Sequence, residues 1–222
     1  MVDLEKIKKH KEVDALIQKG DEYLSAQGFT EHGYRHLNLV SHIASNVLER
    51  LGYGERDMEL ASIAGYLHDI GNVVGRHEHG ISGAAIVYNI LTRMGMDPVE
   101  IAVIISSIGN HEEEYGEPVN HVGAALILAD KSDVHRSRIR NAEFKDAVNL
   151  DIHDRVNYAV KHSFLRVDEG KKSIDLELQI DLKISSVIDY FEIFLKRMMM
   201  CRKAADFLDC DFNLVINENK LV

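Results

Sequence analysis

Six residues within the first 130 positions could each offer a nitrogen or an oxygen to a metal ion: His36, His68, Asp69, His79, His111 and Asp130. Imidazole and carboxylate suit divalent first-row metals such as Fe, Mn, Co or Zn, and the absence of cysteine from the set argues against a thiolate site. The dipeptide His68-Asp69 means little alone. A chain with 12 His is expected to contain one by chance, and His153-Asp154 repeats it. Context separates the two. His68-Asp69 ends the apolar run "MELASIAGYL", so its side chains should point into the protein, whereas His153-Asp154 sits in the polar "NLDIHDRVN" and reads as a solvated turn. Asp130 lies within the apolar "GAALILADKSD", where an unpaired carboxylate would cost several kcal/mol. A metal removes that cost. One ion could be held by His36, His68, Asp69 and Asp130, and a second by His79 and His111 with Asp69 as a bridge. Two such ions about 3.5–4 Å apart clamp a phosphate and lower the pKa of a bound water from about 15.7 towards about 7.

These residues need helices to carry them. Leu4, Ile7, Leu16 and Ile17 sketch a first amphipathic helix. Leu37, Val40, Ile43, Ala44, Val47, Leu48 and Leu51 recur at spacings of three and four before Gly52. A third helix is expected from about Asp57, as N-cap, to Ile70, and a fourth from about Ser82 to Met94. A fifth opens at Asp97-Pro98, with proline at its first position, and runs to about Ile108. A sixth spans about Val119 to Val134. His79 precedes the fourth helix and His111 follows the fifth, so the candidate ligands gather at one end of a helical bundle.

The period changes after about residue 150. Ile174, Leu176, Leu178 and Ile180 alternate with polar residues, the pattern of a half-buried strand. "RVNYAVKHSFLRV" before it is β-rich, and "DEGKK" supplies a turn. Ile184, Val187, Ile188, Phe191, Phe194, Leu195, Met198 and Met199 return to helical spacing, and "DFNLVIN" alternates again. The expected class is mainly α: a helical bundle over residues 1–148, with a small α+β (β-β-α-β) appendage over 149–222 suited to a homodimer contact or to ligand sensing.

Of the 222 residues, 45% are hydrophobic and 28% charged, an ordinary globular composition. The formal charge of -10 argues against sequence-independent nucleic-acid binding, which needs a cationic face. It also means that a phosphorylated substrate needs positive charge supplied locally. No apolar stretch approaches the length of a membrane span, the first residues lack the pattern of a signal peptide, and the two cysteines, Cys201 and Cys210, read as reduced thiols of the cytoplasm. Arg76, Lys131, Arg136 and Arg138 are candidates to grip phosphate oxygens. His77 competes with His79, and His32, His42 and His121 lie near the same end. Glu112, Glu113 and Glu114 read as a solvated face, with Glu112 also suited to support a ligand from behind. No serine or cysteine has a credible His/Asp partner as a nucleophile.

The order H…HD…H…H…D resembles the HD superfamily of metal-dependent phosphohydrolases. The resemblance rests on His36 in "HGYRHLNLV", His68-Asp69 in "GYLHDIGN", His79 in "HEHGISGAAI", His111 in "IGNHEEE" and Asp130 in "LILADKSD", and it covers about residues 30 to 135. The extra histidines make it similar to the dinuclear branch, and His79 followed by Gly83-Ala84 is similar to the third-histidine motif of HD-type dinucleoside tetraphosphate hydrolases. Asn72, where cyclic-dinucleotide enzymes of this type usually carry lysine, and His111-Glu112, where they tend to have paired histidines, speak against that substrate. The resemblance implies one or two divalent ions (Fe, Mn, Co, Mg or Zn) on His36, His68, Asp69, His79, His111 and Asp130, with Asp69 and His68 catalytic. The implied reaction is hydrolysis of a phosphomonoester or phosphoanhydride, of a nucleotide above all. An HD-type diiron oxygenase and a regulatory HD protein with little activity are the alternatives.

Overall fold

The computed structural model describes residues 1–140 and 151–221. Two short-loop helices, α1 (Leu4–Lys8) and α2 (Lys11–Ala26), lead into α3 (Tyr34–Arg50), α4 (Glu55–Leu67), α5 (His79–Arg93), α6 (Pro98–Gly109) and α7 (His121–Ser132). α3 is amphipathic as its spacing predicts, burying His36, Leu37, Val40, Ser41, Ala44, Val47 and Leu48. α4 from Leu60 to Leu67 and α7 from Val122 to Ser132 are buried at every position. A helix that is covered all round lies at the centre of its bundle, and α3, α4 and α7 pack against one another there.

Helix ends explain the departures from the sequence pattern. Asp97 caps α6 through Val99 N–H and Glu100 N–H, with Pro98 at the first position, as expected. Asp57 is not a cap: α4 starts earlier, after Gly54, and Asp57 stands in its first turn, where a carboxylate faces the positive end of the helix dipole. α4 ends at Leu67 rather than Ile70. His68-Asp69 form the turn that follows, and a 3-10 segment covers Ile70–Val73. α5 begins at His79, three residues early, because Glu78 takes a left-handed conformation (φ 53°) that starts the helix there.

In the C-terminal part, α8 (Ile152–Ala159) precedes β1 (Val160–Asp168) and β2 (Ser173–Ile180). α9 (Val187–Phe207), β3 (Asp211–Ile216) and β4 (Asn219–Lys220) follow. The β-rich stretch from Arg155 is therefore helical up to Ala159. Asp151 caps that helix by accepting from His153 N–H and Asp154 N–H, so the second His-Asp pair is a solvated helix start rather than a turn. The hairpin β1–β2 is antiparallel and β2–β3 parallel, in the sheet order β1-β2-β3-β4. Parallel neighbours need a crossover, which α9 provides. Ile174, Leu176, Leu178 and Ile180 are buried, as their alternation predicts. α9 packs on β2, β3 and α7. Met198 and Met200 are buried, and Met199 is exposed. The expected division at residues 148/149 falls outside the described residues. No helix among the described residues is long and apolar enough to cross a membrane.

Candidate metal centre

Two glycines bring the ligand-bearing ends together. A Cβ on Gly65 of α4 would lie 2.7 Å from Ser41 Cα of α3, so only glycine lets those backbones approach this closely. A Cβ on Gly71 would lie 1.9 Å from the carbonyl oxygen of His79, which docks the turn after Asp69 against the start of α5. The result places all six sequence-derived ligands in one buried cluster: His36 from α3, His68 and Asp69 after α4, His79 opening α5, His111 after α6 and Asp130 in the last turn of α7.

His36, His68 and Asp130 form one donor group, and Asp69 Oδ2 lies beside its two imidazoles. His36 Nε2 lies 3.3 Å from His68 Nε2, 3.6 Å from Asp69 Oδ2 and 3.4 Å from Asp130 Oδ1. His68 Nε2 lies 3.5 Å from Asp69 Oδ2 and 3.6 Å from Asp130 Oδ1. Beside this group, His79 Nε2 lies 3.1 Å from His111 Nε2 and 3.1 Å from Asp69 Oδ1. Asp69 thus presents one oxygen to each group.

The protons make the case for a cation. His68 Nδ1 donates to Gly65 O at 2.9 Å, His111 Nδ1 to Ile108 O at 2.7 Å and His79 Nδ1 to Arg76 O at 3.0 Å. A carbonyl only accepts, so each Nδ1 carries a hydrogen and each ring turns Nε2 inward, as a lone pair wherever the ring is neutral. Lone pairs 3.1–3.3 Å apart repel unless a proton or a metal lies between them. Asp69 Oδ2, buried, has no hydrogen-bond partner among the described residues. An orphaned carboxylate oxygen among inward-facing imidazoles fits a divalent ion, and the fixed Nδ1–H is how metal-bound histidines are commonly oriented.

Behind the ligands lie two carboxylates: Asp133, which sequence reasoning left aside, and Glu112, which it offered as a support. Asp133, buried, accepts from His36 Nδ1 at 2.7 Å and from Arg35 Nη2 at 2.8 Å. Burial pushes its carboxyl up, but His36 and Arg138 outweigh that and hold it well below the usual carboxylate range. Its signal was the i, i+3 spacing from Asp130 on the same apolar helix. Glu112 accepts from Gly80 N–H at 2.6 Å and lies 3.1 Å from His79 Nδ1. Burial raises it, and His79, Tyr115 and Gly80 bring it down to about 2. The three acids are therefore not one solvated face. Glu112 supports His79, Glu113 binds Lys131 and Arg197 at 2.6 and 3.1 Å, and Glu114 alone is exposed.

A cavity of about 580 Å³ opens on the cluster. Asp69, His79, His111 and Asp130 line it together with Arg76, Lys131, Arg138 and Arg197. Lys131 is held between Glu113 and Asp130 Oδ2, the latter at 2.8 Å. Arg138 donates to Asp133 O and Glu31 O. Arg76 lies with Nη1 3.4 Å from Asn72 Oδ1. Arg136 is not brought to the cavity: its guanidinium sits 5.1 Å over the Tyr158 ring. His32 lines the cavity, buried, with Nδ1 on Thr30 O at 2.7 Å. His77 is an exposed residue of the cavity mouth, and His42 is exposed. His121 pairs with Asp57 at 2.9 Å and stacks on Tyr53. Arg197, from α9, was not among the sequence-derived candidates, because nothing in its local pattern shows that α9 folds back onto α7.

The family model of the HD domain matches residues 33–135, the span from the start of α3 to just past Asp133. The chain carries an HD domain. HD domains belong to a superfamily of metal-dependent phosphohydrolases, and the cluster of His36, His68 and Asp130 with that of His68, Asp69 and His111 is suited to divalent metal. The chain is also similar to Ribonuclease Y of Aquifex aeolicus (strain VF5), 35% identical over 101 residues. That likeness covers 46% of this chain and 16% of Ribonuclease Y, so the chain spans a small part of that relative's length.

Proposed function

We propose that this HD protein hydrolyses a phosphomonoester or phosphoanhydride of a nucleotide with a metal-activated water. The observation that carries the reading is Asp69 standing between two histidine groups, one oxygen towards each. His36, His68, Asp69 and Asp130 would hold one divalent ion, and Asp69, His79 and His111 a second. When bound, such ions supply a nucleophilic hydroxide at neutral pH and neutralise charge on the phosphate.

The cavity's own charge supports a need for metal. Six carboxylates and four cationic side chains line it, so the metal-free cavity would repel an anion. Arg76, whose Nη1 makes only long contacts, at 3.4 Å to Asn72 and His79 and 3.9 Å to Asp69, can turn towards phosphate oxygens. Burial holds His32 well below the ordinary imidazole range. It is therefore neutral, and with Nδ1–H fixed on Thr30 O its Nε2 can accept a hydrogen bond from the attacking water and orient it. Phe29 and Tyr115, both half-exposed at the cavity, offer aromatic faces for a base. The cavity's volume suits a ligand of nucleotide size. The name Ribonuclease Y also points to phosphate esters of nucleotides, whereas the charge of -10 argues against a long polyanion as substrate.

The purified 222-residue chain, prepared anaerobically and loaded in turn with Mn, Fe, Co, Mg or Zn, is assayed for phosphate release against a panel of phosphorylated metabolites and for oxygen uptake. Metal-dependent phosphate release from nucleotides is the expected result. Oxygen uptake with iron and no phosphate release with any metal would replace hydrolysis by oxygenase chemistry.

A further inference from the structure

We infer that the C-terminal α+β segment completes the active site by donating Arg197 as the ligand for an anionic oxygen of the substrate. The inference rests on the phosphohydrolase reading. Arg197 lies on α9, outside the span that matches the HD domain, yet it lines the cavity with the metal ligands. α9 reaches that place because it packs on α7, the helix that carries Asp130 and Lys131.

The guanidinium is positioned on two sides and free on the third. Its Nε donates to Glu113 Oε1 at 3.1 Å, and its plane lies over the Phe194 ring at 4.7 Å. No described residue hydrogen-bonds its two Nη atoms. A guanidinium held through Nε, with both Nη groups left over, matches the two-pronged way arginine binds phosphate oxygens.

The neighbouring cations cannot do this. Lys131 is shared between Asp130 and Glu113. Arg138 spends both Nη atoms on the backbone carbonyls of Asp133 and Glu31. Of the four cations on the cavity, Arg76 and Arg197 are the two arginines whose Nη groups no short hydrogen bond engages, and they come from different parts of the chain. Burial disfavours the charge of Arg197, but Glu113 and Asp130 outweigh burial, so it remains protonated. The same geometry places Arg197 at one end of a charge chain that runs through Glu113 and Lys131 to Asp130. A purely structural role would pass through that chain to the metal, which the experiment has to separate from substrate binding.

The test compares Mn-loaded wild type with Arg197→Ala, Arg197→Gln and Arg197→Lys. Metal content is read by mass spectrometry, inorganic-phosphate affinity by calorimetry, and KM and kcat with p-nitrophenyl phosphate and a nucleoside monophosphate. The Gln variant retains a donor for Glu113, so it reports even where the Ala variant does not fold. Arg197→Ala and Arg197→Gln are expected to keep wild-type metal content, to lose about tenfold or more in phosphate affinity and to raise KM more than they lower kcat. Arg197→Lys is expected to recover part of the loss. Unchanged phosphate affinity, or a loss of metal in step with it, overturns the inference. Wild-type turnover with unchanged affinity in the variants removes Arg197 alone. Phosphate binding that depends on Arg197 without turnover of any ester removes the phosphohydrolase reading alone.

Discussion

Asp69 reaches His79 Nε2 through Oδ1 at 3.1 Å and keeps Oδ2 for the pair His36 and His68. A residue shared in this way belongs to both halves of the centre, whereas His111 belongs to one. Asp69→Ala is therefore expected to lower metal content below one ion per chain and to reduce phosphate release by about a thousandfold or more. His111→Ala is expected to leave one ion bound. Elemental analysis of anaerobically purified protein checks both. An Asp69→Ala protein that keeps two ions would show that the carboxylate does not bridge.

The carboxylate of Asp133 fixes the ring of His36 from behind, at 2.7 Å from Nδ1. An amide there keeps the shape but removes the charge that favours this ring orientation. Asp133→Asn is expected to weaken metal affinity by about 10–100-fold, measured by competition with a chelator of known affinity. Because Arg35 and Arg138 also face Asp133, thermal melting in the same buffer separates lost metal from lost stability. Wild-type affinity with a lowered melting temperature would reduce Asp133 to a purely structural residue.

Protons compete with metal at the second histidine pair. Burial lowers His79, but Asp69 and Glu112 outweigh it and hold the ring up to about 9. Burial and the charge of His79 push His111 down to about 3. In the metal-free chain the shared proton therefore belongs to His79. A folded-state value above the ordinary 6.5 stabilises the fold fully below about pH 6.5, and that stabilisation is lost as pH rises through about 9. Metal has to displace this proton, so binding releases it and weakens as the solution is acidified. Calorimetric Mn titrations at pH 7.5, in buffers of different ionisation enthalpy, are expected to report net proton release. Affinity is expected to rise between pH 6.5 and pH 9. Proton-neutral binding would contradict a protonated His79.

The helical bundle and the meeting of six candidate ligands at one end of it were legible because each depends on local pattern: apolar spacing of three and four, and polar residues interrupting it at helix ends. Asp130 stood out since an acid on an apolar helix needs a partner. Asp133 stood three residues further along and was passed over, because its partner His36 lies 97 residues away in sequence. Glu113 and Arg197 were hidden for the same reason: their meeting, 84 residues apart, depends on α9 crossing onto α7. Arg136, in a run of arginines with obvious phosphate chemistry, is directed instead over Tyr158. Side-chain direction at the end of α7 is a tertiary matter that spacing does not encode. The early start of α5 likewise turns on Glu78 adopting a positive φ, which few residue patterns announce.

Gly65 links fold and chemistry most directly. Its missing Cβ lets α4 pass α3 at Ser41, and its carbonyl oxygen fixes His68 Nδ1 at 2.9 Å. A methyl group at 65 would meet Ser41 Cα at 2.7 Å, Ser41 N at 2.8 Å and Val40 C at 3.0 Å, all backbone atoms that cannot rotate away. The helices have to separate, at a cost of about 1–3 kcal/mol or more for overpacking a tight core contact. This outweighs the gain in helix propensity of about 1 kcal/mol from Gly→Ala. The separation moves His68 away from His36, whose Nε2 atoms are 3.3 Å apart. Gly65→Ala is therefore expected to lower both the melting temperature of the metal-free chain and its affinity for the first ion. Chemical denaturation without metal and chelator competition with it read the two effects separately. A variant with unchanged stability would mean that α3 and α4 do not meet as closely as these contacts require.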